Sequence, residues 1–504
     1  MFNKYPRPQM VRDNYQLLNG KWEVNGIKKE VPSCEISQKI IYIKSFIFKR
    51  IKDRVILHFD GVDQIAKVYL NDIFLGEHIG GYLPFEFEVS DEIKQGKNTL
   101  KVEVVDKLDK TYPYGKQSLK PSGMWYTPVT GIWKDVWLEQ VPETYIKDIK
   151  ITPDLKGVDL VIRIDNGKNI IKKKKRIDEK NPILWDTNNP HLYYRKIKEK
   201  EDVVTIYYGL RTIEIIGNKI YLNDEPIFIN GVLDQGYWKN TLFIPNSYQD
   251  YVDDIENMKG LGFNLLRKHI KIEPDCFYYE CDRLGMLVMQ DMVQSGEFSF
   301  IRDGLLPTLG FNFKDKVDSI DERMKFFIEH SKETQDYLYN HPSIVAYTIF
   351  NEGWGQFNSD EMYRLLKDRD PSRLYDSASG WFKQKRNDFD SLHIYFRLKR
   401  LKPKKKPMIV SECGGYVYNP NNSDVSWGYG KCYSKDELTS KIEKLYETMI
   451  LPRVSKGLVG VIYTQLSDVE GEVNGLYTFD RKILKVDKER MLKIREKIEE
   501  HLWN

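Results

Sequence analysis

"IVAYTIFNEGWGQF", Ile344 to Phe357, decides how the rest of the chain is read. Its first residues are mostly apolar and partly β-branched, a run of strand length. They lead straight into Asn351, Glu352 and Gly353, so a buried strand ends on an amide and a carboxylate. Gly353 here, like the glycines of "SECGG" further along, predicts a sharp turn with space for a ligand against the carboxylate.

Seven similar runs lie on either side of it. In order, the eight are "FINGV", "FNLLR", "MLVMQ", "IVAYTIF", "RLYDS", "SLHIY", "MIVSE" and "GVIYTQ". Amphipathic stretches separate most of them, such as "SYQDYVDDIENMKGLG", "DERMKFFIEHSKETQDYLYN" and "KDELTSKIEKLYETMILPRV". Ser434 with Glu437 predicts a capping box at the start of the last. The helices after strands five and six read as short or irregular. Eight strands alternating with helices predict a (β/α)8 TIM barrel over 214–504 rather than a doubly wound sheet.

A barrel collects its functional groups at the C-terminal ends of its strands. Here those ends carry Asp234 and Gln235, Arg267 to His269, Gln290 and Asp291, Asn351 and Glu352, His393 and Tyr395, Ser411 and Glu412, and Gln465. "FNEG" and "SECGG" each set one glutamate before glycine. Two opposed carboxylates are the equipment of glycoside hydrolysis, one as proton donor and one as nucleophile or base. A rim salt bridge, for instance with Arg267, is the competing account of either glutamate alone.

The region before the barrel reads as β-structure. In "VILHFDGVDQIAKVYLNDIFLGEHIGGY", Val55–Phe59 and Ala66–Leu70 are predicted strands, Asn71-Asp72 a tight turn and Ile73–Leu75 the return strand. "NTLKVEVVD" and "IWKDVWLEQV" continue the alternation. Residues 1–141 are expected to form a jelly-roll β-sandwich with one wet and one dry face per sheet. Residues 142–213, with "IKDIKITPD", "VDLVIRIDN" and "VVTIYYGLR", are expected to form a truncated immunoglobulin-like sandwich. The fold class is therefore multidomain, β followed by α/β.

Composition narrows the function. The 504 residues are 41% hydrophobic and 13% aromatic, enough for a sizeable interior. Lys and Arg number 78 against 74 Asp and Glu, a net +4 that gives no reason to expect a nucleic-acid partner. The basic runs at Lys172–Arg176 and Lys402–Pro407 read as solvated loops. Five cysteines without metal-site spacing fit a reduced, cytoplasmic protein. No run is long and apolar enough for a membrane span, and the N-terminus has no apolar leader. No cofactor is expected. "SDVEGEVNG", Ser467–Gly475, reads as a solvated loop over the last strand or as a cation site.

Several longer motifs resemble glycoside hydrolase family 2, the group of β-galactosidases and β-glucuronidases, over nearly the whole chain. They are "YPRPQMVRDNYQLLNGKWEV", "YGLRTIEI", "NGVLDQGYW", "GFNLLRKHIKIEP", "NHPSIVAYTIFNEGWGQF", "ASGWF", "SECGG" and "YTQLSDVEGEVNGLYTFDR". The resemblance implies Glu352 as general acid/base and Glu412 as nucleophile. It gives Asn351 to the sugar 2-hydroxyl, Tyr395 to positioning Glu412, and Arg267 to keeping Glu412 ionised, while Glu352 is expected to keep a raised pKa. His269, His393 and Asp234 are candidate hydroxyl partners, and Trp238, Trp354 and Trp381 candidate sugar platforms. The implied activity is a retaining exo-β-glycosidase, first a β-galactosidase, with β-glucuronidase as the alternative and a small carbohydrate as the ligand. The family also implies a homo-oligomer. A carbohydrate-binding protein without catalysis is the rival from another class. Departures from the family are Cys413 after the second glutamate, Met289 before Gln290-Asp291, and shortened N-terminal and middle domains.

Overall fold

The computed structural model describes residues 5–395, 398–420 and 427–503. Two sheets open the chain. One has six strands in the order Ile27–Val31, Gly20–Val24, Lys39–Phe48, Gly96–Val105, Ile65–Leu70 and Ile73–Ile79. The other runs Tyr15–Leu17, Val136–Val141, Arg54–Phe59 and Phe85–Glu88. Trp22, Tyr42, Leu57, Val68, Val102 and Leu138 fill the space between them. The Asn71-Asp72 turn has both residues at positive φ, 51° and 68°, the geometry that matches strand twist in a two-residue hairpin.

The wet-and-dry expectation fails for the four-stranded sheet, where Arg54–Phe59 and Val136–Val141 are buried on both faces. The cause is the next module, which covers the outer face. Ile56 and Val141 pack on Tyr145, and Arg12 joins Glu139 to Asp202 at 2.9 Å each. That module pairs Tyr145–Pro153, Gly157–Asp165 and Ile170–Asp178 in one sheet and Tyr193–Glu199 with Asp202–Tyr208 in another. Ile149, Ile151, Leu160, Ile162, Val204 and Ile206 lie between the two.

Lys172–Arg176 is not a loop but the middle of the strand Ile170–Asp178, in full register with Gly157–Asp165. Backbone ladder bonds make this strand without an apolar face. Lysines along an edge also oppose pairing with another chain. Lys402–Pro407 is irregular, as expected.

All eight predicted barrel strands are present: β1 (Ile229–Asp234), β2 (Leu265–Lys268), β3 (Leu287–Asp291), β4 (Ile344–Thr348), β5 (Leu374–Asp376), β6 (Asp390–Ile394), β7 (Met408–Gly414) and β8 (Leu458–Thr464). They are parallel and ordered β5-β4-β3-β2-β1-β8-β7-β6, a nearly closed barrel. A three-stranded meander of Ile213–Ile216, Lys219–Leu222 and Glu225–Ile227 closes its N-terminal end. There Ile213, Ile220 and Leu222 join Leu265, Leu287, Ile409 and Ile462 in the barrel interior.

Helices follow β1, β2, β3, β4 and β7, whereas the segments after β5 and β6 have none among the described residues. Ser434 caps Lys435–Leu445 by accepting from Glu437 N at 3.1 Å, while Glu437 reaches back to Tyr433 N at 2.8 Å. No helix among the described residues is long and apolar enough to cross a membrane.

Candidate active site

The strand-end reading brings most of the named residues to one rim. Glu352 stands just beyond β4 with φ of 52°, a left-handed conformation unusual for a residue with a Cβ. Its amide donates to Ser379 O at 3.1 Å, which ties this strained turn to the segment after β5. Gly353 has φ of 71°, and a Cβ there would run into the Phe382 ring. Gly414 likewise makes way for Tyr463. The glycines therefore admit the protein's own aromatic rings, where the sequence suggested space for a ligand.

Glu412 lies inside β7 and is buried. Arg267 Nη1 donates to its Oε1 at 3.1 Å, and the Tyr395 hydroxyl donates to its Oε2. Tyr395 also meets Thr464 Oγ1 at 3.1 Å and stacks on Tyr429 with centroids 4.1 Å apart. Arg267 is fully enclosed. Its nitrogens also bond Asp291 at 3.0 Å, Ser411 O at 2.9 Å and Asn351 Oδ1 at 2.8 Å. The guanidinium thus orients Asn351 and leaves that amide's NH2 as the group able to donate to a ligand.

His393, on β6, sits between the two glutamates. Its Nδ1 is 2.7 Å from Glu352 Oε1 and 3.5 Å from Glu412 Oε2, and its Nε2 meets Ser379 Oγ at 3.1 Å. Donor atoms of Glu352, His393 and Glu412 all lie within 4.8 Å of one another. Such a trio has the chemistry to hold a cation, but Arg267 already supplies positive charge on one side of it.

Burial pushes both carboxyls up, yet both end below the ordinary carboxylate range. At Glu352 the His393 hydrogen bond and charge outweigh burial and bring it to about 2. At Glu412 His393 and Arg267 outweigh burial and the neighbouring Glu352 charge. The expectation of a raised pKa at Glu352 is therefore overturned, because the sequence could not reveal an imidazole at 2.7 Å.

Other candidates are engaged by the protein's own groups. Asp234 is buried in an ion pair with Lys268 at 2.7 Å, and its other oxygen accepts from Gly236 N at 2.9 Å. His269 is held by Asp291 at 2.6 Å, and burial together with Lys116 pushes its ring pKa down. Trp354 is 3% exposed, donates to Gly296 O and packs edge-on against Tyr114 and Trp125. Trp238 lies under Arg481, 4.0 Å from its ring centroid. Trp381 differs: it is half-buried beside His393, and its buried indole N–H makes no well-formed hydrogen bond. That N–H is still near enough to Glu352 to favour the ionised carboxylate.

The "SDVEGEVNG" loop is neither solvated nor built as a free acidic cluster. Asp468 pairs with Lys485 at 2.7 Å, Glu470 accepts from Thr127 N at 2.9 Å, and Glu472 accepts from the Tyr126 hydroxyl and Asn474. Thr127 and Tyr126 belong to a long segment of the N-terminal sandwich, between Gly96–Val105 and Gly131–Ile132, that reaches the barrel rim. Sequence reading missed this segment, Thr464 and the part played by Asp291, because the contacts join parts of the chain far apart in sequence. A cavity of about 890 Å³ opens at the other end of the barrel, lined by Asn223, Phe228, Lys259 and Arg495 among others, and holds none of these groups.

Residues 20–142 match the family profile described as glycosyl hydrolases family 2, sugar binding domain, and residues 213–422 match the family 2 TIM barrel domain. The chain belongs to glycoside hydrolase family 2. Among family relatives, a β-galactosidase of Thermoanaerobacter pseudethanolicus is 30% identical over 288 residues, 47% of this chain and 37% of that protein. A putative β-glucuronidase of Formosa agariphila is 28% identical over 336 residues, 59% of this chain and 37% of the relative. The matches thus span little more than a third of these relatives' length. A solved β-D-glucuronidase from Dictyoglomus thermophilum superposes with a TM-score of 0.77 at 19% identity, covering 98% of both chains. A family 2 β-galacturonidase from Eisenbergiella tayi gives 0.72 at 18%, again covering 98% of both. At these identities the structural likeness establishes the fold.

Proposed function

We propose that this family 2 protein is a retaining exo-β-glycosidase, with Glu412 as nucleophile and Glu352 as acid/base. The observation that carries the proposal is the proximity of the two carboxylates, one oxygen of each lying within 4.8 Å of the other. Retaining enzymes hold the pair ~5–5.5 Å apart, whereas inverting ones leave ~6.5–9.5 Å for a water molecule. The surroundings divide the roles. Glu412 is gripped by Arg267 and Tyr395, which fix an ionised oxygen for attack. Glu352 is met by the imidazole of His393 and has the Trp381 N–H nearby.

In the first step Glu412 attacks the anomeric carbon as the bond to the leaving oxygen breaks, and Glu352 supplies that oxygen with a proton. In the second step water attacks the glycosyl-enzyme, Glu352 takes its proton, and Glu412 leaves. Asn351 is the donor for the sugar 2-hydroxyl, a bond that strengthens in the oxocarbenium-like transition state.

Relatives named β-galactosidase and β-glucuronidase keep both glycones open, with the β-galactoside reading drawn from the barrel motifs. The test is turnover of aryl β-galactoside, glucoside, glucuronide, mannoside and arabinoside by the wild type and Glu412→Ala. Release that disappears in the variant supports the proposal. Absence of release from all five, and from the aryl β-galacturonide, by folded protein refutes it.

A further inference from the structure

The positively charged groups at the rim are nearly all committed. Arg267 is taken by Asp291, Glu412 and Asn351, and Lys268 by Asp234 and Glu273. One is not. Lys116, in the sandwich segment that reaches the barrel, is half-buried, and its ammonium has no hydrogen bond or ion pair among the described residues.

Its backbone is pinned on both sides. Gly115 lies so close to the Ile270 carbonyl that an added Cβ would stand 3.0 Å from it, and Ile270 directly follows His269. On the other side Lys116 O accepts from Tyr126 N at 2.9 Å, and Tyr126 donates to Glu472. Lys116 is thereby held between the end of β2 and the acidic loop. Its charge reaches His269, Glu352 and Glu472 and acts to lower the pKa of each, although burial leaves Glu472 raised.

None of the nearby acids is a natural counter-ion. Glu352 is engaged by His393, Glu412 by Arg267 and Tyr395, and both oxygens of Glu472 already accept hydrogen bonds. An ammonium held at the rim without a partner leaves its charge free for an anionic group that a ligand brings. We propose that Lys116 is a specificity-determining residue of the cleft, contributed by the N-terminal sandwich, and that it receives a carboxylate carried by the sugar, making the preferred substrates β-uronides. One ammonium matches one negative charge, which favours a carboxylate over a doubly charged phosphate ester. This inference rests on the glycosidase reading above.

The test compares aryl β-glucuronide and β-galacturonide with the matching glucoside and galactoside, using wild type and Lys116→Met. Direct binding of glucuronate, galacturonate, glucose and galactose is measured calorimetrically in parallel. The wild type should favour a uronide, and the ratio of uronide to neutral kcat/KM should fall about 10- to 100-fold in Lys116→Met, as for loss of a charge-assisted hydrogen bond. A wild-type preference for the neutral glycosides overturns the inference, and so does an unchanged ratio in the variant, which would make Lys116 a mere balance for the cleft's acids. If no glycoside turns over, the glycosidase reading fails by itself. Uronate binding that is tighter than neutral-sugar binding and weakened by Lys116→Met then still supports the role of Lys116, and equal binding refutes it.

Discussion

Replacing His393 with asparagine probes the electrostatics of the carboxylate pair. His393 Nδ1 lies 2.7 Å from Glu352 and 3.5 Å from Glu412, and against the effect of burial it is the chief of the groups, with Lys116 and Trp381, that bring Glu352 from 4.5 to about 2. A drop of that size corresponds to ~3 kcal/mol in favour of the ionised form. Asparagine keeps an N–H for one oxygen but carries no charge. Burial and the adjacent Glu412 then dominate, so Glu352 should rise above its ordinary value.

The two carboxyls titrate as a pair, and both limbs of the pH profile of kcat/KM should therefore move upward, the basic limb by about two units or more. The stability sign follows the same depressed pKa. The His393 contribution is present above ~4.5 and is lost as pH falls towards about 2, so the His393→Asn variant should be less stable than wild type at neutral pH. The gap should close in acid. Hydrolysis of an activated aryl β-glycoside between about pH 2 and about pH 9 reads the limbs. Limbs that stay in place, or that move down, would refute the claim that His393 governs the pair.

Tyr395→Phe removes the hydroxyl from Glu412 but keeps the stack on Tyr429, so kcat should fall ~10- to 100-fold with little change in thermal unfolding. Arg267→Met leaves Asp291, Asn351 and Glu412 without their shared cation in a buried setting. It should abolish turnover and lower unfolding stability by ~3–5 kcal/mol in denaturant titration. Gly353→Ala drives a methyl into Phe382 at a positive φ. Its melting temperature should drop by several degrees, as for a loss of ~2 kcal/mol, whereas Gly217→Ala, at an exposed and open position, should cost less than half as much, φ alone being strained there.

Strand-end residues were legible because barrel geometry converts position in a strand into position on a rim. Asn351, Glu352, Arg267, Tyr395 and Glu412 could be named from that relation and a family resemblance. Trp238 and Trp354 could not be separated from Trp381 in the same way. An indole that packs on Arg481 or Tyr114 has the same sequence signature as one whose N–H stands near a carboxylate of the cleft. Asp234 shows the same limit: it ends a strand at the rim, and nothing in the sequence pairs it with Lys268 on the neighbouring strand.

By itself the sequence determined the order of modules, the eight barrel strands and the two glutamates, because period, turn chemistry and strand length are local properties of a chain. Only the tertiary structure decided that His393 lies between those glutamates, that Arg267 binds three side chains at once, and that Lys116 reaches the rim from another domain. These are distances between segments tens to hundreds of residues apart. Charge–charge and hydrogen-bond energies depend on such distances and on burial, so the protonation state and charge balance of the cleft arise only once the chain is folded.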